Sequence, residues 1–574
     1  MAVPNEKAAI VKRIPHSLTA FAACLLVACS QPVQRETRAD ETGIAPEPGR
    51  ATAVPAAPPA PPMEMGQAAD GSMARSRALA RIQVSGSGMA AYAPRISTST
   101  ENYAPIEDNG IQRAAEQPVS TFSIDVDTGS YANVRRMLSG GQLPPADAVR
   151  VEEFINYFDY GYTPPATRDT PFSVTTEMAP SPWNPKRHLL LVGIKGYEMP
   201  KEDIPAANLV FLIDSSGSMQ SPDKLGLLKQ GFAAMAGQLR PQDRVAIVAY
   251  AGSAGLVLPP TAGSDTGAIV AALDSLQAGG STNGGAGIEL AYAVAKQQFI
   301  DGGVNRVILA SDGDFNVGTV SVDALTTMVA DKRHSGIGLT VLGFGGGNLN
   351  DHLAEQLANT GNGNYFYIDT LNEGRKVLVD QLASTVLTIA EDVKIQIEFN
   401  PAQVEEYRLI GYENRLLERE DFNNDRVDAG EIGAGHNVTA LYEISLVGSG
   451  SAASEPLRYG AAADVDASLD EIGFLRLRYK VPGNERSELV QTPLQRSMLA
   501  ARASERLEFA AAVAGFADAL RGGTHLAGWS MTDVGALADR ARGHDPFGYR
   551  GEFRQLVERA RSLSAGSGAI SIAD

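Results

Sequence analysis

The stretch from Asn208 to Ser384 alternates strand-like and helix-like segments, and this alternation constrains the fold more than any other feature. Its first strand-like segment, Asn208–Asp214, is a nearly continuous apolar run, as expected of a strand buried on both faces of a parallel sheet. Repeated β–α units predict a doubly wound parallel sheet whose ligands bind beyond the carboxyl ends of its strands. The later predicted strands are 244–251, 306–310, 337–343 and 364–368, and the predicted helices are 224–239, 267–276, 285–299, 322–334, 350–359 and 372–384.

Strand-like segments also lie on both sides of this α/β region. Two precede it, at 172–178 and 188–196, and four follow it, at 392–399, 403–412, 439–447 and 473–479. Because the ends of a doubly wound domain usually lie near each other, we expect the α/β domain (205–387) to be inserted in one discontinuous β-sandwich (166–204 and 388–490). An N-terminal α/β extension (101–165) and a C-terminal helical region (491–574), with helices at 498–520, 531–540 and 551–562, complete the predicted architecture.

The first 28 residues have the pattern of an export signal. Lys7, Lys12 and Arg13 precede the uncharged, largely apolar run Ser17–Ala28, which is too short to span a bilayer comfortably. The run ends in Leu-Val-Ala followed by Cys29, which resembles the bacterial lipobox. This resemblance implies cleavage before Cys29, lipidation of Cys29 and anchoring in the cell envelope, in the outer membrane if the organism has two. The alternative is an ordinary secretory signal followed by an incidental cysteine.

Residues 29–100 have the composition of a tether. They show little periodicity and include an Ala/Pro-rich tract at 52–62. Such a segment cannot bury enough apolar surface to offset the entropy lost on ordering, so we expect disorder. The tether would hold the folded part away from the membrane.

Polar side chains follow two predicted strands and precede one helix of the α/β region. Asp214, Ser216 and Ser218 form a D-x-S-x-S motif after the first strand, Thr282 lies in the loop before a helix, and Asp312 follows the strand at 306–310. In a doubly wound sheet these loops meet at one edge. Two carboxylates balance a divalent charge and the hydroxyls add neutral oxygen ligands, so the set suits Mg²⁺ or Mn²⁺. The sequence therefore predicts a metal site with an open position for a carboxylate.

This combination resembles the metal-ion-dependent adhesion site of von Willebrand factor type A (VWA) domains. The D-x-S-x-S motif, the separate threonine and the strand-terminal Asp-Gly all match. The flanks around Thr121–Arg136, Leu143 and Val151–Phe158 also resemble extensions in a bacterial subfamily of VWA lipoproteins. The resemblance implies a binding protein that uses its metal to engage an acidic residue of a protein partner. Asp314 either orients this site or caps its loop.

Two further acidic segments offer weaker signals for a cation. Asp125-x-Asp127 could hold one, but helix capping by Asp127 or Thr128 is favoured. The second segment resembles a calcium loop, although Arg426 stands where glycine is required and its acid falls one position early. A polar hairpin is therefore favoured over a weak Ca²⁺ site. The donors of that site would be Asp421, Asn423, Asp425, Asp428 and Glu431.

Charge and motifs narrow the function classes. The net charge of −18 disfavours nucleic-acid binding. The seven histidines include no HxxxH pair, and the sequence has no nucleophile elbow or P-loop, so it indicates a binding protein and not an enzyme. A structural envelope scaffold, in which the metal only stabilises the domain, is the alternative. Catalysis by Ser216 or Ser218 is a third hypothesis. A serine nucleophile needs a nearby base, and the motif loops contain no histidine.

Overall fold

The computed structural model describes residues 99–313, 321–455, 457 and 470–570. Ala93–Asp574 forms one compact unit. The predicted signal, the predicted lipidation site Cys29, nearly all of the predicted tether and Asp314 lie outside the described residues. None of the helices in the described part is long and apolar enough to cross a membrane.

The region before the α/β domain contributes short strands and two helices that pack into the rest of the molecule. Tyr131 of the first helix and Phe154 of the second are fully buried and pack edge to face, with ring centroids 5.3 Å apart. The elements are β1 (Gln112–Arg113), β2 (Val119–Ser123), α1 (Gly129–Ser139), α2 (Val151–Asn156), β3 (Phe172–Pro180) and β4 (His188–Gly196).

The α/β domain follows the predicted alternation. Its sheet has six strands, and every residue of the central strand is buried, as the apolar run predicted. The elements are β5 (Ala207–Asp214), α3 (Leu227–Ala236), β6 (Arg244–Tyr250), β7 (Ala254–Ala262), α4 (Thr266–Ser275), α5 (Gly284–Gln297), β8 (Val304–Ser311), α6 (Val322–Arg333), β9 (Gly338–Phe344), α7 (Asp351–Thr360), β10 (Tyr365–Ile368), α8 (Leu371–Arg375) and α9 (Leu382–Val386).

The order of these strands creates the switch point that the site requires. The sheet runs β10-β9-β8-β5-β6-β7, so the chain passes from β5 to β6 on one side and later returns to β8 on the other. The carboxyl ends of β5 and β8 are therefore neighbours where the strand order reverses, which is where ligands bind in open α/β sheets. The predicted α/β fold with flanking antiparallel sheets is confirmed.

One strand of this sheet differs from the prediction of a purely parallel sheet. β7, which no sequence pattern indicated, pairs antiparallel with β6. Only three residues separate the two strands, and such a short link can join antiparallel strands but not parallel ones. Pro259 and Pro260 are tolerated in β7 because it is an edge strand.

Two antiparallel sheets contain strands from both sides of the α/β domain. One sheet has the order β1-β12-β14-β4-β3, and the other has β13-β11-β15-β16 with β2 beside β11. Apolar residues from both sheets share one core. The strands after the domain are β11 (Thr388–Phe399), β12 (Val404–Ile410), β13 (Gly430–Gly433), β14 (Asn437–Leu446), β15 (Glu471–Lys480) and β16 (Ser487–Gln495). β16 was not predicted and crosses the expected boundary at residue 490.

Three helices end the described chain, and they share a core with the N-terminal helices. Phe158, which follows α2, packs edge to face on Phe509 and Phe553. The first of these helices begins at Glu505 and not at Met498, because Ser504 caps it by accepting the N–H of Leu507. The helices are α10 (Glu505–Arg521), α11 (Met531–Arg540) and α12 (Tyr549–Ile570).

Candidate metal centre

Asp214 ends β5 and is held by donors from three directions. Its carboxylate accepts the backbone N–H of Ser216 at 2.8 Å, the hydroxyl of Ser311 at 3.0 Å and the hydroxyl of Tyr250 at 3.3 Å. Complete burial raises the pKa of the Asp214 carboxyl, although the bonds from Ser216 and Ser311 act in the opposite direction. The side chain is therefore fixed in position at the end of the central strand.

The two serines of the motif lie next to each other. The hydroxyl oxygens of Ser216 and Ser218 are 2.9 Å apart, and Ser218 is partly exposed. Gly217, between the two serines, donates its N–H to the carbonyl of Gly280 at 3.1 Å. The motif therefore places two hydroxyls side by side, with Ser216 buried and Ser218 on the accessible side.

The loop that carries Thr282 is bonded directly to the motif loop. The N–H of Gly279 donates to the carbonyl of Ser215 at 2.8 Å, and the N–H of Gly217 donates to the carbonyl of Gly280 at 3.1 Å. Thr282, two residues further on, is partly buried just before Asn283 caps α5. These bonds hold the threonine loop beside the end of β5, as the sequence predicted.

Asp312 follows β8, is fully buried and has two partners that the sequence did not indicate. Its Oδ2 accepts from the ammonium of Lys224 at 2.9 Å and from the amide of Asn348 at 3.1 Å. Burial alone would raise the pKa of this carboxyl, but hydrogen bonds from Lys224, Asn348 and Ser218 outweigh it and lower the pKa. Asp312 is therefore an ionised carboxylate at neutral pH.

Of these two partners, only Asn348 could have been found from the sequence. It follows β9, and the rule that collected the other strand-end residues would have included it. Lys224 had no such signal, because it falls in a segment whose spacing predicts the polar face of a helix.

The donor set fits a hard divalent cation. It comprises two carboxylates and three hydroxyls, which belong to the end of β5 and to the loops at the strand-reversal edge. Within the described residues, no three His, Cys, Asp or Glu side chains form a group that could hold a metal. The residues that would hold it are Asp214, Ser216, Ser218, Thr282 and Asp312.

The predicted calcium loop does not gather in one place. Ser487 donates to Asp425 at 2.6 Å, and Arg333 forms an ion pair with Asp428. Glu431 is buried in β13, where burial raises its pKa. The expectation of a polar hairpin was also wrong, because the segment joins β12 to β13 and these strands belong to different sheets. The candidate donors were Asp421, Asn423, Asp425, Asp428 and Glu431.

Asp125 and Asp127 connect parts of the fold, whereas the sequence had favoured a helix cap by Asp127 or Thr128. Thr128 stands at the start of α1 without capping it through its side chain. Asp127 instead accepts the backbone N–H of Tyr365 at 2.8 Å, and Asp125 pairs with Arg415 at 3.1 Å. The expectation of a helix cap was wrong, because these carboxylates join α1 to β10 and to the segment after β12.

Comparison with known proteins places this geometry in a family. Three family models match the chain: von Willebrand factor at residues 97–191, von Willebrand factor type A domain at 209–314, and the C-terminal region of uncharacterized protein YfbK at 384–563. A VWA structure from Catenulispora acidiphila has 15% identity and a TM-score of 0.37, and the match covers 67% of this chain and 89% of that one.

Two curated relatives are also similar in sequence. A UPF0353 protein of Mycolicibacterium paratuberculosis is 33% identical over 152 residues, which cover 24% of this chain and 44% of the relative. The uncharacterized protein YfbK of Escherichia coli is 47% identical over 473 residues, which cover 81% of this chain and 82% of the relative. The chain therefore belongs to the YfbK family of proteins with a von Willebrand factor type A domain.

Proposed function

We propose that this protein is a lipid-anchored envelope protein that binds an acidic side chain of a protein partner through a divalent metal. The observation that carries the proposal is that the segments bearing two carboxylates and three hydroxyls meet at the strand-reversal edge of the sheet. Mg²⁺ or Mn²⁺ would be held by Asp214, Ser216, Ser218, Thr282 and Asp312.

Binding is a better use of this site than catalysis. The hydroxyls of Ser216 and Ser218 are hydrogen-bonded to each other, and neither has a histidine partner within the described chain. A serine nucleophile needs such a base. A metal held largely by neutral hydroxyls keeps positive charge at its open position, where a carboxylate from a partner is a favourable ligand.

The membrane anchor is the part of the proposal that depends on sequence alone. Cys29 follows the apolar run with the spacing of a lipidation site. Cells fed labelled palmitate should label the wild type, whereas Cys29→Ser should remain unlabelled. Labelling of both proteins, or of neither, would refute the anchor without affecting the metal site.

A scaffold with a purely stabilising metal is the second candidate. It is favoured by the bonds that attach the VWA domain to the preceding segment. The amide of Asn102 donates to Asn350 at 3.2 Å, and Arg150 pairs with Asp351 at the start of α7. Such fixed attachments suit a protein whose domains work as one body.

The two candidates separate in a partner-capture experiment. Full-length wild type, Asp214→Ala and Asp274→Ala are used as bait in envelope extract containing either Mg²⁺ or EDTA. Asp274 is exposed at the end of α4, so its variant controls for loss of a surface carboxylate. We expect a partner that wild type and Asp274→Ala retain only in Mg²⁺ and that Asp214→Ala loses while still folded by circular dichroism. If the partner is retained independently of metal and of Asp214, or if no partner is retained, the result would favour the scaffold.

A further inference from the structure

The ammonium group of Lys224 reaches the candidate metal centre from the segment before α3. It lies 2.9 Å from Oδ2 of Asp312 and 2.9 Å from Oδ1 of Asn348. Lys224 is 7% exposed and Asp312 is fully buried, so this ion pair is shielded from water. One of the two carboxylates of the centre therefore already has a cation bonded to it.

We propose that Lys224 is a tethered counter-cation that weakens divalent-metal binding and leaves the loaded centre positively charged for an acidic ligand. The proposal rests on the metal-dependent function above and concerns its regulation. It assigns to Lys224 a role in setting how much metal the centre holds.

The local backbone directs Lys224 towards the centre. The dihedral angles of Lys224 are φ −114° and ψ −105°, so the regular helix starts only at Leu227. The side chain then passes over Gly345, where an added Cβ would lie 2.3 Å from its Cε. Gly345 also has φ +65°, a conformation that favours glycine. The chain thus provides a specific path by which this ammonium reaches Asp312.

Counting charges shows what the ammonium changes. Asp214 and Asp312 contribute two negative charges, and Lys224 reduces their sum to −1. A divalent metal would then bring the centre to +1, whereas without Lys224 the loaded centre would be neutral. Because like charges repel strongly at short range in a partly buried site, Lys224 should weaken metal binding by about tenfold. The remaining positive charge favours a carboxylate over a neutral ligand.

Metal titration of the full-length protein tests this inference directly. Mn²⁺ is added to wild type, Lys224→Met, Lys224→Gln and Lys229→Met, and free Mn²⁺ is followed by electron paramagnetic resonance. Lys229 is the matched control, since it lies on α3 and its ammonium bonds to the backbone carbonyls of Asp274 and Leu276 instead of a carboxylate. We expect both Lys224 variants to bind Mn²⁺ about tenfold more tightly than wild type and Lys229→Met to match wild type.

The outcomes distinguish this inference from the proposed function. If wild type binds Mn²⁺ and the Lys224 variants bind with equal or lower affinity, Lys224 only supports Asp312 and the inference is overturned while the metal centre stands. If none of the four proteins binds Mn²⁺, the metal centre itself is refuted. Circular dichroism checks folding, and Lys224→Gln, which keeps a hydrogen-bond donor for Asp312, carries the test if Lys224→Met does not fold.

Discussion

The candidate metal centre and a buried group of ion pairs at the start of α7 both keep carboxylates away from water, and they balance that charge in different ways. We call the second group the arginine cluster. It brings together the N-terminal extension, the VWA domain and the segment after β12. Its members are Arg150, Arg415, Asp125, Asp127, Glu153, Asp351 and Glu355.

In the arginine cluster each guanidinium binds several carboxylates at once. Arg150 is 2% exposed and pairs with both Glu153 and Asp351. Arg415 lies 3.1 Å from Asp125 and 3.3 Å from Glu355. The planar fork of arginine suits such multiple pairing.

In the metal centre the charged groups are fewer and neutral donors surround them. Asp214 accepts from Ser216, Ser311 and Tyr250, none of which carries a charge at neutral pH. Ser218 and the threonine loop are partly exposed. Asp312 differs from Asp214, because its partners are the charged ammonium of Lys224 and the neutral amide of Asn348. We infer that a buried carboxylate suits a binding site when neutral groups are most of its partners and its surroundings remain accessible. Where arginines saturate it, the carboxylate fixes the architecture.

Removing an arginine from the cluster should give the largest effect on stability. Arg150→Met leaves Glu153 and Asp351 buried without their main cation. Breaking a buried pair in this way costs about 3–5 kcal/mol of unfolding free energy. Urea unfolding followed by circular dichroism measures the loss.

Arg540→Met is the matched control for that experiment. Arg540 pairs with Glu508 at 3.1 Å, but its side chain is 61% exposed, so we expect a loss of about 1 kcal/mol or less. Equal losses for the two variants would contradict the structural role of the arginine cluster.

Asp214→Asn should remove the stabilisation that metal provides while leaving the fold intact. Metal that binds only the folded state should raise the unfolding free energy of wild type by about 2.7 kcal/mol at a concentration 100 times the dissociation constant. The amide cannot supply the negative charge, so Mg²⁺ should not stabilise the variant. Thermal melting with Mg²⁺ and with EDTA measures both proteins. An identical Mg²⁺ response in the two would argue against Asp214 as a ligand.

The two carboxylates of the candidate centre could be located from sequence because a single rule covers them. Asp214 and Asp312 directly follow apolar strands, and parallel strands bring their carboxyl ends to one edge. Lys224 was missed because the apolar spacing predicted a helix from residue 224, whereas α3 begins at Leu227. The direction of a side chain at the start of a helix depends on the local backbone dihedral angles. Apolar periodicity in the sequence contains no information about those angles.

Two of the strands that the sequence did not indicate were missed for a different reason. β7 and β16 lie at sheet edges and expose much of their length, so they lack the apolar alternation that marks a buried strand. The arginine cluster was missed because its members are far apart in the sequence. Arg150 and Asp351 are 201 residues apart, and only the assembled fold shows that they meet.

Glu152 offers a pH test of a carboxylate beside the cluster. Burial, together with the nearby charges of Glu413 and Asp125, raises its pKa to about 8, although the N–H of Tyr412 acts against this. Because the folded state holds this proton more tightly than the unfolded state, the stabilising contribution is complete below about pH 4.5 and is lost as pH rises through 8.

Glu152→Gln should remove this pH dependence, since glutamine does not ionise. Between pH 6 and pH 8 the wild type should lose about 2 kcal/mol of unfolding free energy relative to the variant. Urea unfolding at both pH values measures the difference, and Glu485→Gln, at an exposed position, is the control. If the wild type instead gains stability relative to Glu152→Gln as pH rises, the pKa of Glu152 is lowered in the folded state and not raised.

Ser218→Ala should have the smallest effect, because it removes a neutral ligand and leaves both carboxylates in place. Its hydroxyl lies 2.9 Å from that of Ser216 at the accessible side of the centre. Losing one neutral oxygen ligand should weaken Mg²⁺ binding about tenfold, or about 1.4 kcal/mol, as measured by calorimetric titration. Ser275→Ala, on exposed α4, should bind as wild type does. If Ser218→Ala also binds as wild type does, the hydroxyl is not a ligand. Ser216 and Thr282 would then be the remaining hydroxyl ligands of the metal. The candidate metal centre would have fewer neutral ligands, and it would differ less from the arginine cluster.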